Sequence, residues 1–250
     1  MTALWVEITA TKGSAPRDAG TAMRVTMDQT QGTIGGGALE FAAIARARDM
    51  LARGETSHRE TIPLGPGLGQ CCGGAVSLRY TDIAPEGAET EEMPALPEGP
   101  FLGPLWLWGA GHVGRAVVAA APRGRFDITW VDDAPERFPR DAAVRILPAA
   151  DMPLLARRAD REAQHLIFTY SHDIDLALCA ALLGRGARRI GLIGSDTKWA
   201  RFDKRLRALG LDPSPITCPI GDKRLGKAPH QIAHGVLRAL MTETVTRMTA

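Results

Sequence analysis

Hydrophobic and polar positions change rhythm along this chain, and the change divides it in two. Leu4 to Thr9 alternates apolar and polar side chains, as a half-buried strand does. Met23–Met27, Glu60–Leu64 and Ala75–Tyr80 read as three further strands. Between them, Ala38 to Arg53 carries Leu39, Ala42, Ala43, Ala47 and Met50 near a 3.6-residue period, with Gly54 to stop it, and so predicts a helix. Past residue 104 the grammar becomes short apolar runs separated by helical stretches. The runs are Leu105–Trp108, Asp127–Val131, Val144–Leu147, Leu166–Thr169, Arg189–Ile193 and Ile216–Cys218. Helices are expected from the glycines after Trp108 to Ala121, over Ile174–Leu183, from Ser195 to Leu209, and from Pro229 to Met241. Strand and helix in alternation predict a parallel, doubly wound sheet.

The two halves meet at Ala84 to Pro104, where five prolines and five glutamates occur without apolar periodicity. Such a stretch reads as an exposed linker. The predicted organisation is a small mixed α/β N-terminal domain over 1–84, a linker over 85–103, and an α/β domain over 104–250.

Composition narrows the class. The chain of 250 residues is 45% hydrophobic and 23% charged, the balance of a globular protein. A net charge of +2 with no basic block argues against nucleic acid as a partner. No apolar run reaches the roughly 18–20 residues that span a bilayer, so no membrane role is expected. Met1 to Gly13 lacks a basic-then-apolar secretory pattern. A cytoplasmic location with reduced cysteines is therefore the expectation. The four cysteines, at 71, 72, 179 and 218, have no metal-finger spacing.

Three glycine-rich stretches carry the candidate chemistry. Gly65 to Gly74 holds five glycines and the neighbouring thiols Cys71 and Cys72, and it sits between two predicted strands. Glycine at this density costs chain entropy, so the backbone there must approach something closely; the alternative is a tight turn with two packed thiols. Thiolates beside glycine N–H groups are activated, which makes Cys71 or Cys72 a candidate sulfur acceptor or soft-metal ligand. Gly35, Gly36 and Gly37 open the first helix, where free N–H groups attract anions, unless they form only a close-packed turn. Gly109-x-Gly111-x-x-Gly114 follows an apolar strand and opens a helix, with Asp132 about 20 residues on, as in a Rossmann-like nucleotide fold. An NAD(P)-dependent oxidoreductase, or a nucleotide-sensing module using this turn, is one reading of it.

Gly109, Asp132, Ser171, His172, Gly194, Ser195 and Cys218 each follow a predicted strand, so one edge of the sheet should gather them. Ser171 and Asp173 also suit helix capping. Cys179 reads as a core residue. His230 and His234 share a helix face, which reads as solvated rather than metal-binding.

Gly13-Ser14-Ala15-Pro16-Arg17, Gly32 to Gly37 with Leu39-Glu40, Gly69-Gln70-Cys71-Cys72-Gly73-Gly74 and Gly109 to Gly114 together resemble the XdhC/CoxI family, the accessory proteins of xanthine dehydrogenase. Ser171-His172-Asp173 with Asp175, Gly194-Ser195 with Lys198, and Pro219-Ile220-Gly221 extend the resemblance over nearly the whole chain. One departure is Tyr170, where the family pattern leads one to expect histidine. The resemblance implies a chaperone without turnover of its own. It would bind the molybdenum cofactor, Mo-molybdopterin, while a cysteine desulfurase exchanges an oxo ligand for sulfur, then deliver it to the xanthine dehydrogenase apo-enzyme. It also implies that Cys71 and Cys72 lie near the molybdenum or the arriving sulfur. Gly35–Gly37 and the Gly109–Gly114 turn would face the pterin or its phosphate, with Arg17, Gln70, Asp132, Ser171, His172 and Ser195 completing the cofactor-binding set. A homodimer is expected.

Overall fold

The computed structural model describes residues 3–13, 15–64, 74–85 and 93–248, and side chains as far as residue 242. Two compact units make up the chain, residues 1–92 and 93–250. Among the described residues, no helix is long and apolar enough to cross a membrane.

The first unit is a five-stranded antiparallel sheet with one helix against it. Its strands are β1 (Leu4–Lys12), β2 (Ala22–Val25), β3 (Thr30–Gly32), β4 (Ser57–Leu64) and β5 (Gly74–Thr81), in the order β3-β2-β1-β5-β4. Alternation in β1 puts Leu4, Val6 and Ile8 on one face, opposite Met23 and Val25 of β2 and Leu78 and Tyr80 of β5. Helix α1 (Gly37–Arg53) covers that face with Leu39, Ala43, Ala47 and Met50, all buried. It ends at Gly54 in a left-handed turn whose N–H bonds the last carbonyls. The edge strand β3 was not foreseen: its three residues are exposed, so no burial pattern marks it. The strands flanking the cysteine loop run antiparallel and end with Leu64 opposite Gly74. Residues 65–73, with Gln70, Cys71 and Cys72, lie outside the described residues.

The second unit is a six-stranded parallel sheet of β6 (Pro104–Trp108), β7 (Asp127–Asp132), β8 (Arg145–Pro148), β9 (Gln164–Ile167), β10 (Ile190–Leu192) and β11 (Ile216–Thr217). Their order is β11-β10-β9-β6-β7-β8. Numbered within the domain this is 6-5-4-1-2-3, the dinucleotide-fold arrangement, with its switch point between β6 and β9. Both faces are covered, which is why the strands read as unbroken apolar runs. On one side Leu105, Leu107 and Trp130 meet α2 (His112–Ala120) and α6 (Pro229–Met248). On the other, Trp108, Val131 and Ile167 meet α3 (Met152–Ala156), α4 (His172–Arg185) and α5 (Asp196–Ala208). Cys179 is in that core, as expected, and burial pushes its thiol far above its ordinary pKa.

Four details differ from the sequence reading. The short α3 was not foreseen; Pro153 sits in its first turn and Asp151 caps it by accepting from the Leu154 N–H at 2.8 Å. Strand β9 begins at Gln164 and ends at Ile167, earlier than its apolar run suggests, because two polar residues are buried in it. Residues 93–103 belong to the second unit: Leu96 packs on its core, and Arg125 donates to the Pro97 carbonyl at 3.1 Å. His234 is buried rather than solvated, with its Nε2 3.1 Å from the Pro94 carbonyl.

His165 shows how a buried polar residue is carried in β9. Its Nδ1 accepts from Trp108 Nε1 at 3.3 Å, and its Nε2 lies 2.9 Å from the Asp160 carbonyl. Burial lowers its pKa to about 4, from an ordinary 6.5. The folded protein thus resists protonation where the unfolded chain accepts it. Stability from this source is complete above pH 6.5 and is lost as pH falls toward 4. Urea denaturation across this range should give a slope approaching 1.4 kcal/mol per pH unit. His165→Asn should flatten that slope, and an unchanged slope would show that other groups set it.

Candidate functional site

The carboxy-terminal edge of the six-stranded sheet collects most of the polar residues singled out in the second half of the sequence. Its centre is the turn from β6 into α2. Gly109 adopts φ 117° there, and a Cβ on it would stand 2.5 Å from the Phe168 carbonyl oxygen. Gly114 packs α2 onto the turn, where a side chain would collide with the Gly109 carbonyl. Gly111, by contrast, is exposed and has nothing within 4 Å of its would-be Cβ. Turn, open approach and close packing are the three roles such glycines play at a pyrophosphate site. Gly111 is also the N-cap of α2 and has no side-chain cap bond, so the helix presents its first N–H groups at the open position.

Four hydrogen bonds fix the turn. Gly109 N–H donates to the Val131 carbonyl at 2.7 Å, and the Gly109 carbonyl accepts from Trp130 Nε1 at 3.0 Å. Ala110 N–H donates to Asp132 Oδ2 at 2.6 Å, and its carbonyl accepts from Arg115 Nε at 3.1 Å.

Asp132 does not stand as a ribose-binding carboxylate would. It is 1% exposed. Its other oxygen accepts from the Ala134 N–H at 3.0 Å and from Arg137 at 2.7 Å. Its role is to tie the end of β7 to the glycine turn, and the spacing from Gly114 could not distinguish the two. Arg137, which the sequence reading missed, also donates to Asp133 at 2.8 Å. Asp133 in turn accepts from the Tyr170 hydroxyl at 2.6 Å, and the Arg137 guanidinium lies 4.5 Å from the centre of the Tyr170 ring. Against the opposing effect of partial burial, the Tyr170 hydroxyl and Arg137 hold the Asp133 carboxyl below its usual range.

On the other side of the switch point, Ser171 and His172 open α4 and Ser195 opens α5. Ser195 caps its helix by accepting from the Lys198 N–H at 3.2 Å. Ser171 makes no cap bond, and Asp173 is exposed at the surface. Asp175 takes over the local bonding instead: it accepts from Thr169 N at 3.1 Å, from Thr169 Oγ1 at 2.6 Å and from Lys198 Nζ at 2.6 Å. Lys198 Nζ also donates to the Ile193 carbonyl at 2.9 Å. Asp175 and Lys198 are both buried, and together they lock the loop after β9 to the loop after β10. Burial, and then the Lys198 charge, lowers the pKa of the half-buried His172 below its ordinary value, which favours a neutral imidazole. Burial pushes the Cys218 thiol up to about 11, so it is no ready nucleophile at neutral pH. Among the described residues, no group of three or more His, Cys, Asp or Glu could hold a metal ion.

In the first unit the structure brings Arg17 to the triple glycine. Pro16 packs on Gly35 so closely that a Cβ there would be 2.6 Å from it. The anion that the glycine N–H groups attract is supplied by the chain itself. Buried Glu40 accepts from the Thr33 hydroxyl, from Ile34 N at 2.9 Å and from Gly36 N at 3.1 Å. Gly35 N is turned to Thr33 Oγ1 at 3.0 Å. Burial lowers the Arg17 pKa, against the pull of Asp18 and Glu40. The Gly-x-Leu-Glu order of residues 37–40 was visible in the sequence, but the reach of Glu40 back over its own loop was not.

An α/β protein with a small antiparallel unit and a Rossmann-type unit is thus defined by its fold and by a glycine-turn edge. Comparison with known proteins supplies the family. Residues 105–239 match the XdhC Rossmann domain, and residues 2–62 match the XdhC and CoxI family. The chain belongs to the XdhC family. It is 26% identical over 246 residues to YqeB, an uncharacterised protein of Escherichia coli K12, covering 94% of this chain and 42% of that one. The chain therefore spans less than half the length of that relative. The crystal structure of a xanthine dehydrogenase from Bacillus halodurans has the same fold at 18% identity and a TM-score of 0.51. The match covers 99% of this chain and 93% of the other.

The Asp175–Lys198 pair gives a direct test of how this edge is held. Asp175→Ala leaves a buried ammonium without its partner, and urea denaturation should register a loss of about 3–5 kcal/mol. The double variant Asp175→Leu with Lys198→Met should recover much of that loss. A single-variant cost below about 1 kcal/mol would mean that the pair is not the lock described.

Proposed function

We propose that this protein is a molybdenum cofactor chaperone: it binds Mo-molybdopterin during sulfuration by a cysteine desulfurase and hands it to the xanthine dehydrogenase apo-enzyme. The observation that carries this reading is membership of the XdhC family across both units.

The residues at hand suit such a ligand. Gly111, with its open approach at the N-terminus of α2, would receive the phosphate. His172 and Ser195, half-buried beyond the switch point, would offer hydrogen bonds to a pterin. In the first unit, Glu40 already occupies the N–H groups of Ile34 and Gly36, so Arg17 is the group there that would contact such a ligand. Cys71 and Cys72 would meet the molybdenum or the incoming sulfur. The cofactor itself supplies the metal that takes up sulfur. The chain's part is to bind it, orient it and keep water from it, which calls for no turnover of its own. A cytoplasmic homodimer is the form in which we expect it to act.

A second reading, NAD(P)-dependent redox chemistry or nucleotide sensing, is favoured by the three glycine roles at Gly109, Gly111 and Gly114. The engagement of both Asp132 oxygens within the fold counts against it.

Protein isolated from cells that make the cofactor should carry molybdenum and molybdopterin in near-equal amounts, by metal analysis and mass spectrometry. Replacing Cys71 and Cys72 together should reduce its capacity to present sulfurated cofactor to apo-enzyme. Protein that never retains molybdopterin, even when mixed with it after purification, would end the chaperone reading.

A further inference from the structure

Tyr170 and Asp133 stand at the ends of different strands. Asp133 follows β7 and Tyr170 follows β9, while β6 lies between those strands in the sheet. Neighbouring strands are about 4.8 Å apart, so β7 and β9 are separated by about 10 Å. A hydrogen bond of 2.6 Å between Tyr170 and Asp133 must therefore pass over the end of β6, where the glycine turn begins. Arg137 closes the span from above, bonded to Asp132 and Asp133 and 4.5 Å from the centre of the Tyr170 ring. The phenol, the carboxylate and the guanidinium form a strap across the switch-point crevice.

A dinucleotide bound in this fold lays its pyrophosphate on the glycine turn and its adenosine ribose against a carboxylate at the end of the second strand. That strand is β7 here, and its end is spoken for. Asp132 is buried against Ala110, Ala134 and Arg137, and Asp133 is held by Tyr170 and Arg137. Asp132 is closed off by burial, and a ribose diol reaching the partly exposed Asp133 would have to compete with the Tyr170 hydroxyl and Arg137 already on its oxygens. Beyond β9 the edge is more open, with Ser171, His172 and Ser195 all partly exposed.

We propose that Tyr170 is the specificity-determining residue of this edge: its strap excludes the adenosine half of dinucleotides and leaves the edge to ligands lying toward β9 and β10. This deepens the cofactor reading, on which it rests for the ligand, because it favours the nucleotide-free form of molybdopterin over a dinucleotide form.

ADP-ribose is the probe for the excluded half, titrated calorimetrically into the full chain. The wild type should show no saturable binding in the millimolar range. Tyr170→Ala should gain affinity by about tenfold or more, since removing the repulsive element is what restores a rejected ligand. Tyr170→Phe, which keeps the ring beneath Arg137 but loses the bond to Asp133, should fall between them. Thermal melting of each variant checks that it is folded. Saturable ADP-ribose binding by the wild type would overturn the proposal, and so would a folded Tyr170→Ala with no gain. Molybdopterin titrated in parallel separates the two claims: failure of the wild type to bind it counts against the cofactor reading alone, and the ADP-ribose comparison decides the strap.

Discussion

The carboxylate of Asp132 is where the second unit's architecture and its ligand edge meet. It is buried at the end of β7, and one oxygen takes the Ala110 N–H while the other takes Ala134 and Arg137. With the Trp130 indole on the Gly109 carbonyl and Arg115 on that of Ala110, every backbone polar atom of those two residues is bonded inside the fold. A buried charge of this kind is tolerable only because hydrogen bonds surround it. The consequence is a rigid turn that opens to solvent at Gly111, set against a β7 end whose acidic side chains are engaged by Arg137 and Tyr170.

The same economy of partners recurs elsewhere. Glu40 fills the N–H groups of Ile34 and Gly36 that an external anion would otherwise find. Asp175 and Lys198 fill each other and fasten two loops at the far side of the switch point. In each case a glycine loop or strand end that looks like a vacancy in the sequence is closed by a side chain of the chain itself. Gly111 is exposed and His172 and Ser195 are half-buried at this edge, and the Cys218 thiol nearby is held protonated by burial.

The sequence determined a good deal by itself. Period-2 alternation in Leu4–Ile8 and the apolar runs from Leu105 onward report burial on one face or on two, and burial is what the pattern encodes. Glycine spacing announced the Gly109–Gly114 turn, because only glycine fits where Phe168 and the turn's own carbonyl come so near. The edge-site residues of the second half were legible for the same topological reason: strands that run parallel end on one side. Tertiary structure decided how those residues are engaged. Asp132 at a ribose spacing is consumed by its neighbours, Tyr170 is carried over β6 to Asp133, and Gln164 and His165 enter a strand although they read as loop. No local pattern holds that information, since a hydrogen bond between residues 37 positions apart exists only once the sheet has set β7 and β9 on either side of β6.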